Sequence, residues 1–290
     1  MSDLVAVPHR SGSRAARFGR FLRNNPTMVL GGLILAFFVG VAILAPFIAG
    51  DPMLKLPARR LQPPSPEFLF GTDHLGQDVF ARVVYGARVS LTVGLSVATI
   101  SVVLGLIIGL LAGYYRWVET IVMRMMDGLM AIPAILLAIA MVALNRGSIL
   151  IVIAAIAIPE LPRVVRLVRS IVLSTRELPF VEAAIACGAR TPRILALYIT
   201  PSTIAPLIVQ ATYICASAIL VEASLSFLGA GVPPEIPSWG NMIASSRLYL
   251  ARAPWTIFYA AGALALVVLA VNLLGDGLRD RLDPRLQRRL

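Results

Sequence analysis

Long runs of uncharged, mostly apolar residues divide the chain. Four of them, at 24–50, 89–115, 194–221 and 253–275, are each at least 23 residues long. A helix crosses the apolar part of a bilayer with about 20 residues, so each run is long enough to form a transmembrane helix. The pattern therefore predicts four helices that span a membrane.

Two shorter apolar stretches are bounded by charged side chains. One, at 128–145, follows Asp127, and the other, at 147–159, precedes Glu160. The first gains length from the apolar turn 121–123, and the second continues past Glu160 along Leu161, Val164, Val165 and Val168. We interpret both stretches as spans. The prediction is an all-α, polytopic membrane protein with six transmembrane helices.

The spans set the predicted organisation of the chain. Its parts are a basic N-terminal segment (1–26), a first transmembrane helix (27–50), an outer loop (51–88), a five-helix core (89–275) and a tail (276–290). The outer loop is rich in proline, which disfavours long helices and central strands. Short turns at 116–119 and 145–148 join the second span to the third and the third to the fourth, so these pairs are antiparallel neighbours.

Composition supports this interpretation, and charge orients the helices. The chain is 58% hydrophobic and 14% charged, which is more apolar surface than one soluble core of this length buries. The net charge of +11 comes from basic residues that flank the spans rather than from a clustered basic surface, so it does not predict nucleic-acid binding. With six spans and a cytoplasmic N-terminus, 18 of the 26 basic residues face the cytoplasm, as the positive-inside rule requires, when Arg163, Arg166 and Arg169 are counted on the cytoplasmic side. We therefore predict that both termini are cytoplasmic.

The longest predicted cytoplasmic loop, about 176–201, has clear helix signals. Pro179 suits the first turn of a short helix, and Gly188 suits its C-terminal cap in a left-handed conformation. Thr191, followed by proline, resembles an N-cap at which a second helix begins and leads towards the fifth span. The loop is therefore predicted to contain a short helix, a glycine hinge and a second helix at the membrane surface.

The chain lacks the common signatures of catalysis. Lys55 is the single lysine, and it does not lie in a GxxxxGK[ST] sequence, so this chain has no phosphate-binding loop of that type. His9 and His74 are the only imidazoles, and Cys187 and Cys215 fall on a cytoplasmic loop and inside a span, where neither a disulfide nor a metal set is expected. We predict no catalytic residue, no cofactor and no metal site.

Several motifs occur in the order found in one family. Glu182-Ala183-Ala184 followed by Gly188 resembles the cytoplasmic EAA loop of bacterial ABC-importer permeases. The other matching segments are Gly71 to Asp78, Glu222 to Gly229 with Pro237 to Gly240, and Asp283 to Leu286. From about Thr27 to Leu286 the chain resembles the dipeptide, oligopeptide and nickel permeases, of the C type. Two departures are Gln77, where the family has arginine, and Leu197 to Pro201 at the end of the loop.

This resemblance implies a type I ABC-importer permease in the inner membrane. It implies that a second permease subunit pairs with this one as a heterodimer, that two ATP-binding cassette ATPases dock beneath them, and that an extracytoplasmic binding protein delivers the substrate. Glu182, Ala183, Ala184 and Gly188 would then belong to the helix that enters the ATPase cleft. Gln77 weakens the expectation that 71–78 is a charge-paired element. Taken without the rest, the Glu-Ala-Ala sequence before Gly188 is also an ordinary helix end.

Three carboxylates are candidates for the transport pathway, because a carboxylate at membrane depth usually faces water or the interior of a helix bundle. They are Asp127, Glu160 and Glu222. Asp127 is better explained as a cap at the cytoplasmic start of the third span, and Glu160 is equally explained as an ion-pair partner of Arg163. Glu222 lies near the outer end of the fifth span, where it contacts substrate or reaches the outer interface.

Other interpretations remain at this stage. Asp73, His74 and Asp78 have the chemistry of metal ligands, but polar residues in such a loop are more often turn formers. A secondary transporter driven by an ion gradient, with Asp127 and Glu160 carrying protons, is an alternative to the ABC permease. A membrane enzyme is disfavoured because no nucleophile and base pair is evident. The substrate stays open among dipeptides, oligopeptides, nickel, glutathione and other small solutes.

Overall fold

The computed structural model describes residues 25–144 and 148–282, and there all the extended regular elements are helices. Most of the basic N-terminal segment, most of the turn predicted at 145–148 and the motif at 283–286 lie outside the described residues. One bridge pairs Thr72 with Asp78. The main helices are α1 (Pro26–Ile48), α2 (Val79–Tyr114), α3 (Arg116–Ala131), α4 (Ala134–Leu144), α5 (Ile149–Thr175), α6 (Pro179–Ala186), α7 (Thr200–Phe227), α8 (Trp239–Ser246) and α9 (Trp255–Leu282).

Shorter helical segments complete the described chain. Single 3₁₀ turns are formed by Pro57–Arg59 and Arg247–Tyr249. A helical turn, Thr191–Arg193, continues into a π-helix, Ile194–Ile199, and then into α7. The second helix predicted in the loop is therefore the first part of the fifth predicted span, without a break.

Length and apolar composition support four to five membrane spans among the described residues. Four are α1, α2, α9 and the continuous helix Thr191–Phe227. The fifth is the pair α3 and α4, which is bent by 87°. Helix α5 has 27 residues, enough to cross a bilayer, but it carries Glu160 and three arginines. The predicted number of six spans is therefore not confirmed by these criteria.

The third predicted span is not one straight helix. Pro133 has no N–H, and it also disfavours a helical conformation for the residue before it. Ile132 accordingly adopts an extended conformation, with φ −94° and ψ 128°, and α3 ends there. The preceding connection is also shorter than predicted, because Tyr115 by itself joins α2 to α3 and residues 116–119 form the first turn of α3.

Helix α2 begins at Val79, ten residues before the uncharged run that predicted it. The Asp78 side chain caps this start by accepting a hydrogen bond of 2.9 Å from the Phe80 N–H. Arg82 then lies inside the helix but is buried and paired with Asp73 at 2.6 Å. Its charge is thus compensated by an ion pair. A search for uncharged runs therefore misses the first turns of this helix.

Helix α2 is the central element of the fold. It packs most extensively against α5, and it also contacts α7 and α1, while α9 packs against α1 and α7. One apolar core lies between α2, α5 and α7, and a second lies between α1, α2, α8 and α9. Both cores meet at α2, so a movement of α2 affects each of them.

Trp239 belongs to the second core. Its indole is fully buried and donates a hydrogen bond of 3.0 Å to the Val83 carbonyl. Space for the ring exists because Gly86 has no side chain: a Cβ there would lie 2.9 Å from Trp239 Cδ1. The short helix α8 is therefore inserted between α2, α7 and α9.

Candidate functional site

The short helix α6 is the first part of the candidate site. It starts with Pro179 after the extended residue Leu178, and it ends in a Schellman motif. In that motif the Gly188 N–H donates to the Ile185 carbonyl at 2.9 Å and the Ala189 N–H to the Ala184 carbonyl at 3.0 Å. Gly188 has φ +82°, which confirms its predicted left-handed conformation.

Helix α6 has one face against the protein and one face exposed. Val181 and Ala184 are buried, whereas Glu182 and Ala183 are exposed. Phe180 and Ile185 expose 47% and 50% of their surface. An exposed helix with this much apolar surface is typical of a protein interaction site. Of the four predicted coupling residues, Glu182, Ala183 and Gly188 are accessible, and Ala184 lies on the buried face of α6.

A pocket of about 450 Å³ lies beside α6. Its walls include Phe180, Ala183, Cys187, Gly188, Arg193 and Tyr198. The pocket therefore separates α6 from the helix that leads to α7. The second helix begins one residue earlier than predicted, because Arg190 is its N-cap and Thr191 is already helical, and no side chain caps it.

The π-helical segment Ile194–Ile199 was not predicted. It precedes Pro201, whose ring clashes with the carbonyl four residues earlier in a regular α-helix. The wider π turn avoids this contact, and the Thr200 hydroxyl adds a hydrogen bond of 2.8 Å to the Leu195 carbonyl. Such segments are rare and frequently lie at functional sites. Pro201 could have indicated an irregular helix from the sequence alone, but not that the irregularity would be a π-helix.

Helices α3 and α5 are joined by ion pairs that involve one of the predicted pathway residues. Asp127 lies inside α3 and pairs with Arg166 at 2.6 Å, so it does not cap a helix start. Arg169 Nε donates to Glu119 at 2.9 Å. These two contacts hold α3 against the C-terminal half of α5.

Glu160 lies at the middle of α5. It is buried, and its nearest opposite charge is Arg163 Nη1 at 3.6 Å, as one of the two interpretations predicted. The same Arg163 nitrogen donates to the Tyr213 hydroxyl of α7 at 3.4 Å. The guanidinium therefore bridges α5 and α7. Sequence reasoning missed Tyr213, although it belongs to a set of polar residues at helical spacing within an uncharged run.

Glu222 is fully buried among the described residues. Its Oε1 accepts hydrogen bonds of 2.9 Å from both Ser226 and Ser238. Ser238 also caps α8, because its hydroxyl accepts from the Asn241 N–H at 3.2 Å. Glu222 therefore connects α7 to the start of α8, and in this structure it does not reach the outer surface.

The loop before α2 is organised by Asp73. This carboxylate accepts from the N–H groups of Leu75 and Gln77 at 2.8 and 2.9 Å, in addition to its ion pair with Arg82. The Gln77 side chain accepts from Arg82 at 2.7 Å. The loop is thus a charge-paired element after all, and Gln77 takes part in it.

His74 and Asp78, the other two metal-ligand candidates, have structural contacts. The His74 ring stacks on Tyr249 at 5.1 Å, and burial lowers the pKa of His74. Asp78 caps α2. Among the residues that the structure describes, no group of three or more His, Cys, Asp or Glu side chains is arranged to hold a metal ion.

Comparison with known proteins identifies the family. Residues 101–288 match the family described as binding-protein-dependent transport system inner membrane component, and residues 13–64 match the N-terminal TM domain of oligopeptide transport permease C. A probable peptide ABC transporter permease, y4tQ of Sinorhizobium fredii, is 59% identical over 270 residues, which are 93% of each chain.

Two other relatives carry different substrate names. The dipeptide transport system permease DppC of Alkalihalophilus pseudofirmus is 44% identical over 92% of this chain and 88% of its own. The glutathione transport system permease GsiD of Pectobacterium atrosepticum is 39% identical over 92% of this chain and 90% of its own. The chain therefore belongs to the binding-protein-dependent transport system inner membrane components, the permease subunits of ABC importers.

Proposed function

We propose that this chain imports peptides as one of two different permease subunits of an ABC importer. Relatives named for peptide or dipeptide transport, at 59% and 44% identity over most of the chain, support the substrate class. An extracytoplasmic binding protein delivers the peptide, and two ATPase subunits drive alternating access. ATP hydrolysis resides in those partners, since the single lysine, Lys55, lies outside any phosphate-binding loop.

The observation that carries the proposal is the exposed face of α6. Glu182 and Ala183 lie on that face beside the exposed apolar side chains Phe180 and Ile185. The small side chain allows close approach, and the carboxylate can pair with a basic group of the ATPase. Through Gly188 and the π-helix, α6 is connected to α7, so movement of the ATPases is transmitted to a membrane helix.

The pathway is proposed to run beside α5 and α7. Asp127 and Glu160 contribute to it through their arginine partners on α5. Glu222, which the sequence also suggested for this role, is proposed to act indirectly, by holding α8 against the outer end of α7. In this arrangement α5 crosses the membrane as the fourth of six spans, with its charged side chains facing the pathway rather than lipid.

Charge reversal at Glu182 tests the coupling role. Glu182→Lys is expected to insert normally but to lose copurification of the ATPase and substrate-stimulated ATP hydrolysis, because it places a cation opposite a basic partner. Asp280→Lys is the matched control, since Asp280 is exposed on the last turns of α9, away from α6. Wild-type ATPase binding and transport by Glu182→Lys would show that α6 is only a surface connector.

Gly188→Val gives a second test through the backbone. Valine is strained at a positive φ, and we expect a local destabilisation of about 1 kcal/mol or more together with loss of coupling. Gly229→Val is the control, because Gly229 has φ +78° and, as at Gly188, a Cβ added there would meet no atom within 4 Å. If both variants lose ATPase binding equally, strain rather than the position of α6 is responsible.

A further inference from the structure

Two polar side chains meet halfway along the helices that border the proposed pathway. Arg163 is the fifteenth residue of the 27 in α5, and Tyr213 is the fourteenth of the 28 in α7. At a rise of about 1.5 Å per residue, Arg163 lies roughly 20 Å from either end of α5, and Tyr213 lies roughly 20 Å from the C-terminal end of α7. In helices that span a bilayer, this position is close to the midplane, not on the cytoplasmic side where the count of basic residues placed Arg163.

Neither side chain is enclosed by the described residues. The Arg163 side chain is 49% exposed, and Tyr213 is 50% exposed. A guanidinium facing lipid at the centre of a bilayer is strongly unfavourable, and such groups almost always face a bundle interior or a water-filled cavity. The surface that carries Arg163 and Tyr213 is therefore not a lipid-facing surface.

The same surface continues in both directions as a polar lane, which we define by its residues. Towards the cytoplasm, residues at spacings of three and four follow one face of α5, and towards the outside a second set follows one face of α7. The exposed or half-buried members are Arg163, Arg166, Ser170 and Ser174 on α5 and Gln210, Tyr213, Ser217 and Ser224 on α7. A substrate moving along this lane passes Arg163 at its midpoint.

Arg163 differs from the other arginines of α5 in how it is paired. Arg166 and Arg169 make contacts of 2.6 and 2.9 Å to carboxylates, the range of charge-assisted hydrogen bonds. The contact of Arg163 to Glu160 is 3.6 Å, and its contact to Tyr213 is 3.4 Å. Both use Nη1, which leaves Nε and Nη2 without a hydrogen-bond partner among the described residues.

We infer that Arg163, with the Tyr213 hydroxyl beside it, binds the C-terminal carboxylate of the peptide as it crosses the membrane. The inference rests on the proposed function. The unpaired Nε–H and Nη2–H groups form one edge of the guanidinium, which matches a carboxylate in a bidentate geometry, and Tyr213 supplies a further O–H donor. Glu160 weakens this binding by competing for the guanidinium, so the carboxylate is released again rather than trapped.

The test is a cycle of four uptake measurements with the complete transporter in proteoliposomes, including both permeases, the ATPases and the binding protein. Wild type and Arg163→Gln are each supplied with alanylalanine and with alanylalaninamide, which lacks the carboxylate. For each protein, uptake of alanylalanine is divided by uptake of the amide, and the two quotients are compared. The binding protein is the same in all four measurements, so its own preference for one peptide cancels in this comparison. Arg116→Gln is the matched control, since Arg116 is exposed at the start of α3, outside the polar lane.

We expect Arg163→Gln to lower uptake of alanylalanine about tenfold and uptake of the amide less than twofold, as expected for loss of a hydrogen bond to a charged group. Copurification of the ATPases and the second permease should not change. Equal loss for both peptides would overturn the inference, and so would loss of the second permease, since Arg163 would then pair with that subunit. Absence of ATP-dependent uptake by wild type would instead contradict the proposed function.

A second variant covers the case in which Arg163→Gln does not assemble. Arg163→Lys keeps the positive charge but replaces the fork of donors with a single ammonium group. It should still prefer alanylalanine to the amide, by a smaller ratio than wild type. A lysine variant that transports both peptides with the same relative rates as wild type would show that bidentate geometry is irrelevant, which also overturns the inference.

Discussion

The buried ion pair between Asp73 and Arg82 shows how single residues order the outer loop. Both side chains are almost fully enclosed, and Asp73 also accepts two backbone hydrogen bonds. A buried charge is stable only when its partner is present, so removing one member leaves the other uncompensated. The loop and the start of α2 therefore depend on each other.

We predict that Asp73→Asn lowers the free energy of unfolding by about 3–5 kcal/mol, because the Arg82 charge stays buried without its partner. Thermal unfolding of the detergent-solubilised protein measures the effect. Glu67→Gln is the control, since it removes the exposed ion pair between Glu67 and Arg59. Exposed pairs contribute little, so the control should change stability by less than about 1 kcal/mol. Equal effects of the two changes would contradict the role assigned to burial.

At the scale of helices, close packing joins α2 to α5, and through this contact the proposed motion of α6 would pass into the membrane. Three glycines of α2 at four-residue intervals lie against three valines of α5 at the same intervals: Gly105, Gly109 and Gly113 against Val164, Val168 and Val172. Each valine side chain of α5 occupies the space that a glycine of α2 leaves open. Because α6 follows α5 after only three residues, the two packed helices and α6 are expected to move together.

Gly109→Ala tests this contact. A Cβ at Gly109 would lie 2.6 Å from the Val168 Cβ, closer than real Cβ atoms approach, so α2 and α5 must separate. We expect lower thermal stability and weaker coupling of ATP hydrolysis to uptake. The control is Gly262→Ala in α9, where a Cβ meets no atom within 4 Å. There the better helix propensity of alanine should stabilise the protein by up to about 1 kcal/mol. Stabilisation by both changes would contradict the close contact.

At the scale of the whole molecule, two arrangements differ in how many times the chain crosses the membrane. With six spans, α4 ends on the outer side and α5 returns to the cytoplasm. If the bent pair α3 and α4 and helix α5 all stayed on the inner side, four spans would remain and both termini would still be cytoplasmic. The connection between α4 and α5 therefore distinguishes the two arrangements, whereas the termini do not.

Leu144 lies at the end of α4 and is 85% exposed. We predict that a cysteine in its place reacts with a membrane-impermeant maleimide added to spheroplasts, whose inner membrane is still closed. The variant is Leu144→Cys with Cys187→Ser and Cys215→Ser. Native Cys187, exposed after α6, is the control and should react only once the membrane is opened. Labelling of Leu144→Cys only after opening would rule out the six-span arrangement.

The sequence by itself determined the features that depend on neighbouring residues. Apolar runs of sufficient length predicted four helices, and each is present, because hydrophobicity and backbone hydrogen bonding in lipid leave a helix as the available form. Pro179 and Gly188 predicted the limits of α6, since proline and a left-handed glycine act on the adjacent turn. The proposed coupling motif could be predicted for the same reason, since it is a contiguous segment.

Only the tertiary structure decided which polar residues are buried, paired or exposed, because those properties depend on helices distant in the chain. The pattern of charged residues did not indicate that Arg82 lies inside a helix, because its ion-pair partner Asp73 comes from the preceding loop. Glu222 was expected near the outer end of its span, and packing of α8 buries it. The polar lane likewise exists only because folding places Arg163 of α5 beside Tyr213 of α7, fifty positions later in the chain.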